Sequence, residues 1–214
     1  METARGESTS LLARAALWKA AGRAWAYPSG DLLAILTDGL FERVVETAWA
    51  SIGNPDGAPA QLGRALRSSL AAGISLPEEH TFLFSREVRC PPYQSSYSAD
   101  PNSRIRNLSQ LSMLLEGLGL KLSPETRDLL DHIGILMELI GHTQAREAEL
   151  RGRGAPDAAM GWREVRRRLV AEHLGDWVEQ FCARLKSAAR LPFYPALGEF
   201  SLRLRNLEWE VLNR

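Results

Sequence analysis

The stretch from Glu79 to Asp100 reads Glu-His-Thr-Phe-Leu-Phe-Ser-Arg-Glu-Val-Arg-Cys-Pro-Pro-Tyr-Gln-Ser-Ser-Tyr-Ser-Ala-Asp. A helix that carries Phe82 and Phe84 must end before Pro91-Pro92, because the second proline lacks an N–H and its ring disfavours a helical residue before it. The pair therefore predicts a stiff loop flanked by aromatic side chains. Helices are predicted on both sides of this loop, which makes it the first candidate for a recognition site.

Elsewhere apolar residues recur at helical spacing, and strand-like alternation is nearly absent. The helix starts agree: Ser75-Leu76-Pro77-Glu78 forms a capping box with proline in the first turn, and Ser123-Pro124-Glu125 is a cap followed by proline. The sequence therefore predicts an all-α protein. The stripes expected in its core are Leu11, Ala15, Trp18 and Trp25; Leu33, Leu36, Leu40 and Val44; Leu108, Leu111, Leu115 and Leu118; and Trp177, Phe181, Leu185, Leu197, Phe200, Leu204, Leu207 and Val211.

Clusters of glycine, proline and small polar residues predict where the helices are interrupted. These breaks fall at residues 27–30, 53–59, 89–103, 151–161 and 191–195. A chain of 214 residues suits one large domain better than two compact ones. We therefore expect a single-domain multi-helix bundle over residues 1–214, with the 151–161 break as a candidate flexible linker before a C-terminal helix pair.

The charge balance argues against a nucleic-acid partner. Lysine plus arginine equals aspartate plus glutamate at 26 each, so no net charge steers the chain towards nucleic acid or an anionic membrane. A basic cluster follows residue 162, but it has acidic neighbours and no aromatic platform for bases. We expect its members, Arg163, Arg166, Arg167 and Arg168, to lie on a solvated helix face.

Cysteine usage and the N-terminal sequence predict the compartment. Cys90 and Cys182 have no metal-ligand spacing and are expected to be small buried side chains in a reducing environment. The apolar residues of the segment 11–26 are interrupted by Arg14, Lys19 and Arg23, which argues against a signal peptide or a membrane span. We expect a cytoplasmic protein with no stable membrane insertion.

The segment around Asp131-His132 carries the chain's most distinctive polar residues. Asp131, Glu138 and His142 are spaced by seven and eleven positions, so on a continuous helix they would share one stripe opposite an apolar face. Spacing alone favours a solvated face. Glu138 and His142 could supply two metal ligands, but the motifs of known metal sites are missing, so we expect no metal. No phosphate-binding loop motif is present either.

Three elements together resemble the TorD/DmsD/NarJ family of maturation chaperones for molybdenum oxidoreductases. Glu79, Phe82 and Phe84 precede Pro91-Pro92-Tyr93-Gln94-Ser95-Ser96-Tyr97, which is close to the family's PPY-E-S-x-Y element, with Gln94 where Glu is common. The second element is Asp131-His132-Ile133-Gly134, followed by Glu138-Leu139. The third comprises His173-Leu174, Trp177, Phe181, Phe193-Tyr194 and Leu197.

The resemblance implies a helical bundle of the TorD/DmsD type that binds the leader or the apo catalytic subunit of a molybdenum oxidoreductase of the dimethyl sulfoxide reductase type. Such a chaperone assists cofactor insertion before export, and it has no turnover and no cofactor of its own. An aromatic groove would hold the apolar part of a twin-arginine leader, and carboxylates would meet its arginines. The client-binding residues implied are Glu79, Phe82, Phe84, Pro91, Pro92, Tyr93, Ser95, Tyr97, Asp131, His132 and Glu138.

Two alternatives stay open from the sequence. One is a NarJ-like assembly factor for a client that is not exported. The other is a helical enzyme that uses His132 or His142, although adjacent residues on a helix diverge by about 100°, so Asp131 would not orient His132. Because domain-swapped dimers occur in the family, we expect a monomer or such a dimer, with the 151–161 break as the point of exchange.

Overall fold

The computed structural model describes residues 2–54, 56–85, 87–124 and 126–213, with side chains from residue 6 onward. These residues form ten α-helices and no strand, which confirms the all-α prediction. The helices are α1 (Glu2–Ala24), α2 (Gly30–Thr37), α3 (Leu40–Ser51), α4 (Ala58–Leu70), α5 (Leu76–Phe84), α6 (Ser103–Gly117), α7 (Ile133–Gly152), α8 (Pro156–Arg168), α9 (Trp177–Ala188) and α10 (Phe193–Leu212). A 3₁₀ turn spans Gln94–Tyr97 and a π-helical turn spans Leu169–His173.

An aromatic cluster occupies the centre of the core. Trp25, at the end of α1, contacts Phe181 at 5.2 Å, Tyr194 at 6.2 Å and Phe84 at 6.3 Å between ring centroids. These partners come from α9, α10 and α5, so the cluster ties together helices that are distant in the sequence. Cys90 and Cys182 are buried as free thiols, and burial raises the pKa of the two thiols to about 11 and about 12.

Helices α1 and α7 make the most extensive helix–helix contact of the described chain. They run antiparallel, because Gly22 meets Gly134 while Ala15, earlier in α1, meets Gly141, later in α7. A Cβ added at Gly134 would lie 2.8 Å from the carbonyl oxygen of Gly22, and one at Gly141 would lie 2.9 Å from that of Ala15. The seven-residue spacing on both helices brings the two backbones into direct contact. We call these four residues the small-residue seam.

Several predicted helix limits and stripes are confirmed. Ser75 and Glu78 form the capping box of α5, and α5 ends at Phe84, before the two prolines. The stripe from Leu11 to Trp25 is buried along α1. In the C-terminal stripe, Leu207 and Val211 are only half-buried, whereas Trp177, Phe181, Leu185, Leu197, Phe200 and Leu204 are buried.

Four expectations about local structure are wrong. The stripe through Leu40 and Val44 is exposed, because Gly39, at φ of 71°, separates α2 from α3 and turns Phe41 and Val45 inward. The residues described between 118 and 132 form no helix, although a start was predicted at Ser123-Pro124; Glu125 itself lies outside the described residues. The break predicted over 151–161 is confined to residues 153–155, because Pro156 begins α8.

The fourth error concerns Arg166, which does not lie on a solvated face. Its side chain has no exposed surface and forms ion pairs with Glu147 of α7 at 2.7 Å and Glu208 of α10 at 2.8 Å. Glu208 also accepts a hydrogen bond from the Gln144 amide at 2.6 Å. A buried charge needs such partners, so this cluster fixes α8 against α7 and α10.

Candidate functional site

The proline loop and the Asp131-His132 segment lie side by side. Pro92 O accepts the N–H of Ile133 at 2.9 Å, and the N–H of Gln94 donates to Asp131 O at 3.0 Å. These bonds form an isolated antiparallel bridge between Tyr93 and His132. Two elements that the sequence separates by more than thirty positions therefore form one structural unit, which we call the signature bridge.

Neither Asp131 nor His132 lies on a helix, which corrects the stripe predicted through Asp131, Glu138 and His142. His132 is the N-cap of α7, and its Nδ1 accepts the N–H of Gly134 at 3.1 Å. Asp131 is fully buried; its Oδ2 accepts the N–H of Ser95 at 3.0 Å, and its Oδ1 has no partner among the described residues. Burial lowers the pKa of His132. Both side chains thus hold the backbone around them.

Tyr93 closes the signature bridge on its outer side. Its ring lies against the His132 ring at 5.3 Å in an edge-to-face arrangement, and its hydroxyl donates to Asp128 Oδ1 at 2.9 Å. Burial, and then this bond to the Asp128 carboxylate, raise the pKa of Tyr93. The tyrosine therefore attaches the segment before α7 to the proline loop.

Gln94 joins the signature bridge to the π-helical turn. Its Nε2 donates to Glu172 O at 2.8 Å, and its Oε1 lies 3.0 Å from His173 Nδ1, which donates to it. An amide can donate and accept at once, whereas a carboxylate in its place could only accept. This accounts for glutamine at a position where the related element often has glutamate.

The predicted aromatic groove does not form as expected. Phe84 is a core residue, packed on His80 at 4.8 Å and on Tyr194 at 5.2 Å. Two guanidinium groups contact the Phe82 ring, with Arg89 at 4.4 Å and Arg190 at 4.1 Å from its centroid. These rings are therefore already covered by the protein's own side chains.

Glu79 and Tyr97 are also engaged within the fold. Glu79 is fully buried and accepts the Arg190 N–H at 2.7 Å, the Arg190 Nε–H at 2.8 Å and the Leu191 N–H at 3.2 Å. Tyr97 packs on Trp177 at 5.5 Å, with the Arg184 guanidinium 5.1 Å from its ring. Pro91 is half-buried and Pro92 is buried. In the structure, these four predicted client-binding residues therefore make contacts within the fold.

A cleft of about 520 Å³ opens between α1, α6, α7 and the segment 118–130. Its walls are mostly leucine, and charged side chains surround them. We call it the α1/α6/α7 cleft. Its apolar lining consists of Leu111, Leu115, Leu120, Leu122, Leu130, Ile135 and Leu139, and its polar lining of Lys19, Arg23, Lys121, Ser123, Thr126, Glu138 and His142.

The small-residue seam places two of the polar side chains in this cleft. A Cβ at Gly22 would lie 2.8 Å from Glu138 Cγ, and one at Gly141 would lie 2.8 Å from Lys19 Cγ, so each glycine leaves room for one charged side chain. Burial raises the pKa of Glu138, although Arg23 and Lys19 oppose this. Burial and the nearby Lys19 and Arg146 lower the pKa of His142. Glu138 is thus the predicted client-binding residue that lines the cleft.

Neither a metal-binding cluster nor a membrane-spanning helix occurs among the described residues. They contain no cluster of three or more histidine, cysteine, aspartate or glutamate side chains placed to hold a metal ion. Among the helices described, not one combines enough length with enough apolar character to cross a membrane.

An open apolar groove is one kind of surface on which an amphipathic helix of a partner can bind. The family model described as nitrate reductase delta subunit matches residues 55–183, which is more than half of the chain. The chain therefore belongs to the nitrate reductase delta subunit family, a NarJ-type family of assembly chaperones for molybdoenzymes. No curated protein is a significant match. The predicted resemblance is thus confirmed at the level of molybdoenzyme assembly chaperones.

Proposed function

We propose that this protein holds the immature catalytic subunit of a molybdenum oxidoreductase by binding an apolar segment of that subunit in the α1/α6/α7 cleft. The observation that carries the proposal is the cleft itself. Seven apolar side chains of the described residues line it, and its volume of about 520 Å³ lies within the roughly 300–1,000 Å³ of concave, mostly apolar ligand pockets. Family membership supplies the class of client.

The signature bridge supports this function because it holds the start of α7, the helix that lines one side of the cleft. His132 caps the first turn of α7, and the following turns of the same helix carry Ile135, Glu138 and Leu139 into the cleft. On this view Asp131, Tyr93 and His132 set the direction of α7, while the client contacts the cleft. The enzyme alternative is less favoured, since His132 Nδ1 is occupied by the Gly134 N–H.

Two kinds of client segment fit this proposal, and they differ in whether the client subunit is exported. The segment is either the twin-arginine leader of an exported subunit or a segment of a subunit that stays in the cytoplasm. We favour the second kind, because the matching family is described by nitrate reductase and not by an export system. Micromolar affinity, about 8 kcal/mol, is sufficient for a chaperone that must release its client once the cofactor is inserted.

A pull-down from native extract tests the proposal. We expect the tagged protein to recover one large molybdoenzyme subunit, and Leu115→Gln, at the wall of the cleft, to reduce this recovery several-fold. Leu33→Gln is the matched control, since Leu33 is also half-buried but lies on α2, outside the cleft. Equal recovery by both variants would remove the cleft from the mechanism. Recovery of no molybdoenzyme subunit by the wild type would overturn the chaperone role.

A further inference from the structure

We propose that the α1/α6/α7 cleft selects an amphipathic helix whose apolar stripe is flanked by carboxylates, in preference to an arginine-bearing segment. This inference rests on the function proposed above and specifies the chemistry of the segment that is bound. Three features carry it: the sign of the charge around the cleft, the burial of the carboxylates expected to receive arginine, and the helical walls of the cleft.

The charge around the cleft is predominantly positive. Among the described residues, Lys19, Arg23 and Lys121 line it, against the one carboxylate of Glu138. None of the three cations forms an ion pair with a described residue, although fifteen such pairs occur elsewhere in this part of the chain. His142 adds no negative charge, and its lowered pKa leaves it neutral near pH 7. Carboxylates on an incoming helix would therefore find unmatched cations.

The carboxylates predicted to receive arginine are not offered to a client. Glu79 is buried and already bound to Arg190. Asp131 is buried and accepts a backbone N–H through Oδ2. Glu138 alone lines the cleft, and Arg23 and Lys19 lie close enough to influence its pKa. A guanidinium that approached Glu138 would meet these two cations at the same point, which disfavours it.

The walls of the cleft favour a helix over an extended peptide. Helices α1, α6 and α7 form them together with the described, non-helical residues of the segment 118–130, and the described residues present no sheet edge to which a strand could add. A strand would leave its backbone N–H and C=O groups without protein partners, whereas a helix satisfies its own. Leucines on two facing helices, Leu115 of α6 and Leu139 of α7, offer contact to an apolar stripe of period 3.6.

Three synthetic peptides of about 16 residues, roughly four turns, test the inference directly. They share one leucine stripe and differ only at the flanking positions, which are all glutamate, all glutamine or all arginine. Binding to the full chain is measured by calorimetry at about 0.01 M and about 0.1 M salt, between which the screening length falls from about 30 Å to about 10 Å. Circular dichroism of the free peptides controls for differences in helicity.

We expect the glutamate peptide to bind about tenfold more tightly than the arginine peptide at low salt, with the glutamine peptide between them and the difference smaller at higher salt. Arg23→Gln should reduce the ratio about threefold. Arg64→Gln, which removes an exposed cation of α4 outside the cleft, should leave it unchanged.

The outcomes separate this inference from the proposed function. Equal binding of the three peptides, or tightest binding of the arginine peptide, would overturn the charge selection and leave the chaperone cleft intact. Binding of none of the peptides would overturn both. An equal effect of Arg23→Gln and Arg64→Gln would show that net charge, not the cleft, sets the preference, and would also overturn the inference.

Discussion

Gln94 and His173 are hydrogen-bonded at 3.0 Å although 79 positions separate them. The same amide donates to Glu172 O at 2.8 Å, so both of its polar atoms bind the π-helical turn between α8 and α9. Irregular π turns persist where the surroundings stabilise them. Here the proline loop stabilises the π-helical turn, and the π-helical turn also fixes the loop.

Gln94→Glu should destabilise the protein by about 1–3 kcal/mol near pH 8, because the new carboxylate cannot donate to Glu172 O and faces it instead. The same carboxylate would raise the pKa of His173, which burial lowers in the native protein. Stability gained from a raised histidine pKa is present at low pH and lost as the pH rises. Urea unfolding at about pH 6 and about pH 8 should therefore show a smaller deficit at pH 6.

Gln180→Glu is the control for that substitution, because Gln180 is exposed on α9. We expect it to change the free energy of unfolding by less than about 0.5 kcal/mol at both pH values. If Gln94→Glu behaved in the same way, the bond between Gln94 and the π-helical turn would not contribute to stability.

Glu79→Ala should lower the free energy of unfolding more than Arg190→Ala, which removes the ion-pair partner of Glu79. Glu79→Ala leaves the backbone N–H groups of Arg190 and Leu191 without an acceptor, and we expect a loss of about 2–4 kcal/mol. Arg190→Ala removes the counter-charge of the buried Glu79 carboxylate but keeps both of its backbone bonds, so it should cost less than Glu79→Ala. Chemical denaturation measures both, and an equal or reversed order would contradict the role of Glu79 as a backbone acceptor.

Glu164→Ala provides the baseline for losing an ion pair at the surface. Glu164 and Arg167 are both exposed and lie three positions apart on α8. Glu164→Ala should leave the free energy of unfolding unchanged within the error of the measurement, because solvent screens an exposed ion pair.

The sequence was sufficient to predict the all-α class, the core stripe of α1 and the end of α5 before the prolines, because these depend on local spacing and caps. It also identified the three elements that meet at Gln94, although not how they meet. The prediction that Asp131 lies on a helix was wrong, because α7 begins only after His132, which is its N-cap. Apolar periodicity does not show where a cap will fall.

The cleft could not be located in the same way, because it depends on a long-range pairing. Nothing local in α1 indicates that Gly22 will face Gly134. A signal was nevertheless present: Ala15 and Gly22, like Gly134 and Gly141, are seven residues apart, which places each pair on one helix face. The burial of Arg166 was missed for a similar reason, since its partners Glu147 and Glu208 come from two other helices.

Acidification should destabilise the protein through His80. Its Nε2 lies 3.3 Å from Trp25 O, and its buried Nδ1 has no partner in the described part of the chain, so protonation would add a buried, unpaired N–H. Burial lowers the pKa of His80 from 6.5 to about 4, although the bond to Trp25 opposes this. The unfolded chain therefore binds the proton first, and stability present above pH 6.5 is lost as the pH falls towards 4. A pKa difference of this size corresponds to about 3 kcal/mol.

Urea midpoints at about pH 7.5 and about pH 4.5 measure this loss. His80→Gln should lose less stability than the wild type over the same interval, because glutamine does not titrate. The carboxylates that titrate near pH 4 are common to both proteins and cancel in the comparison. An identical loss in the two proteins would show that His80 does not contribute to the acid sensitivity.

Gly134→Ala should disturb both the fold and the cleft, because the added methyl group would lie 2.8 Å from Gly22 O and a backbone atom cannot move aside alone. We expect a loss of about 1–3 kcal/mol in the free energy of unfolding. Since α1 must move away from α7, the variant should also bind the glutamate peptide several-fold more weakly. Gly161→Ala is the matched control: Gly161 lies inside α8, where an added Cβ would come within 4 Å of no described atom beyond its neighbours and the local helix backbone, so it should stabilise the helix by up to about 1 kcal/mol. Unchanged stability and peptide affinity in Gly134→Ala would mean that the seam is looser than its geometry indicates, and that it does not position Lys19 and Glu138 in the cleft.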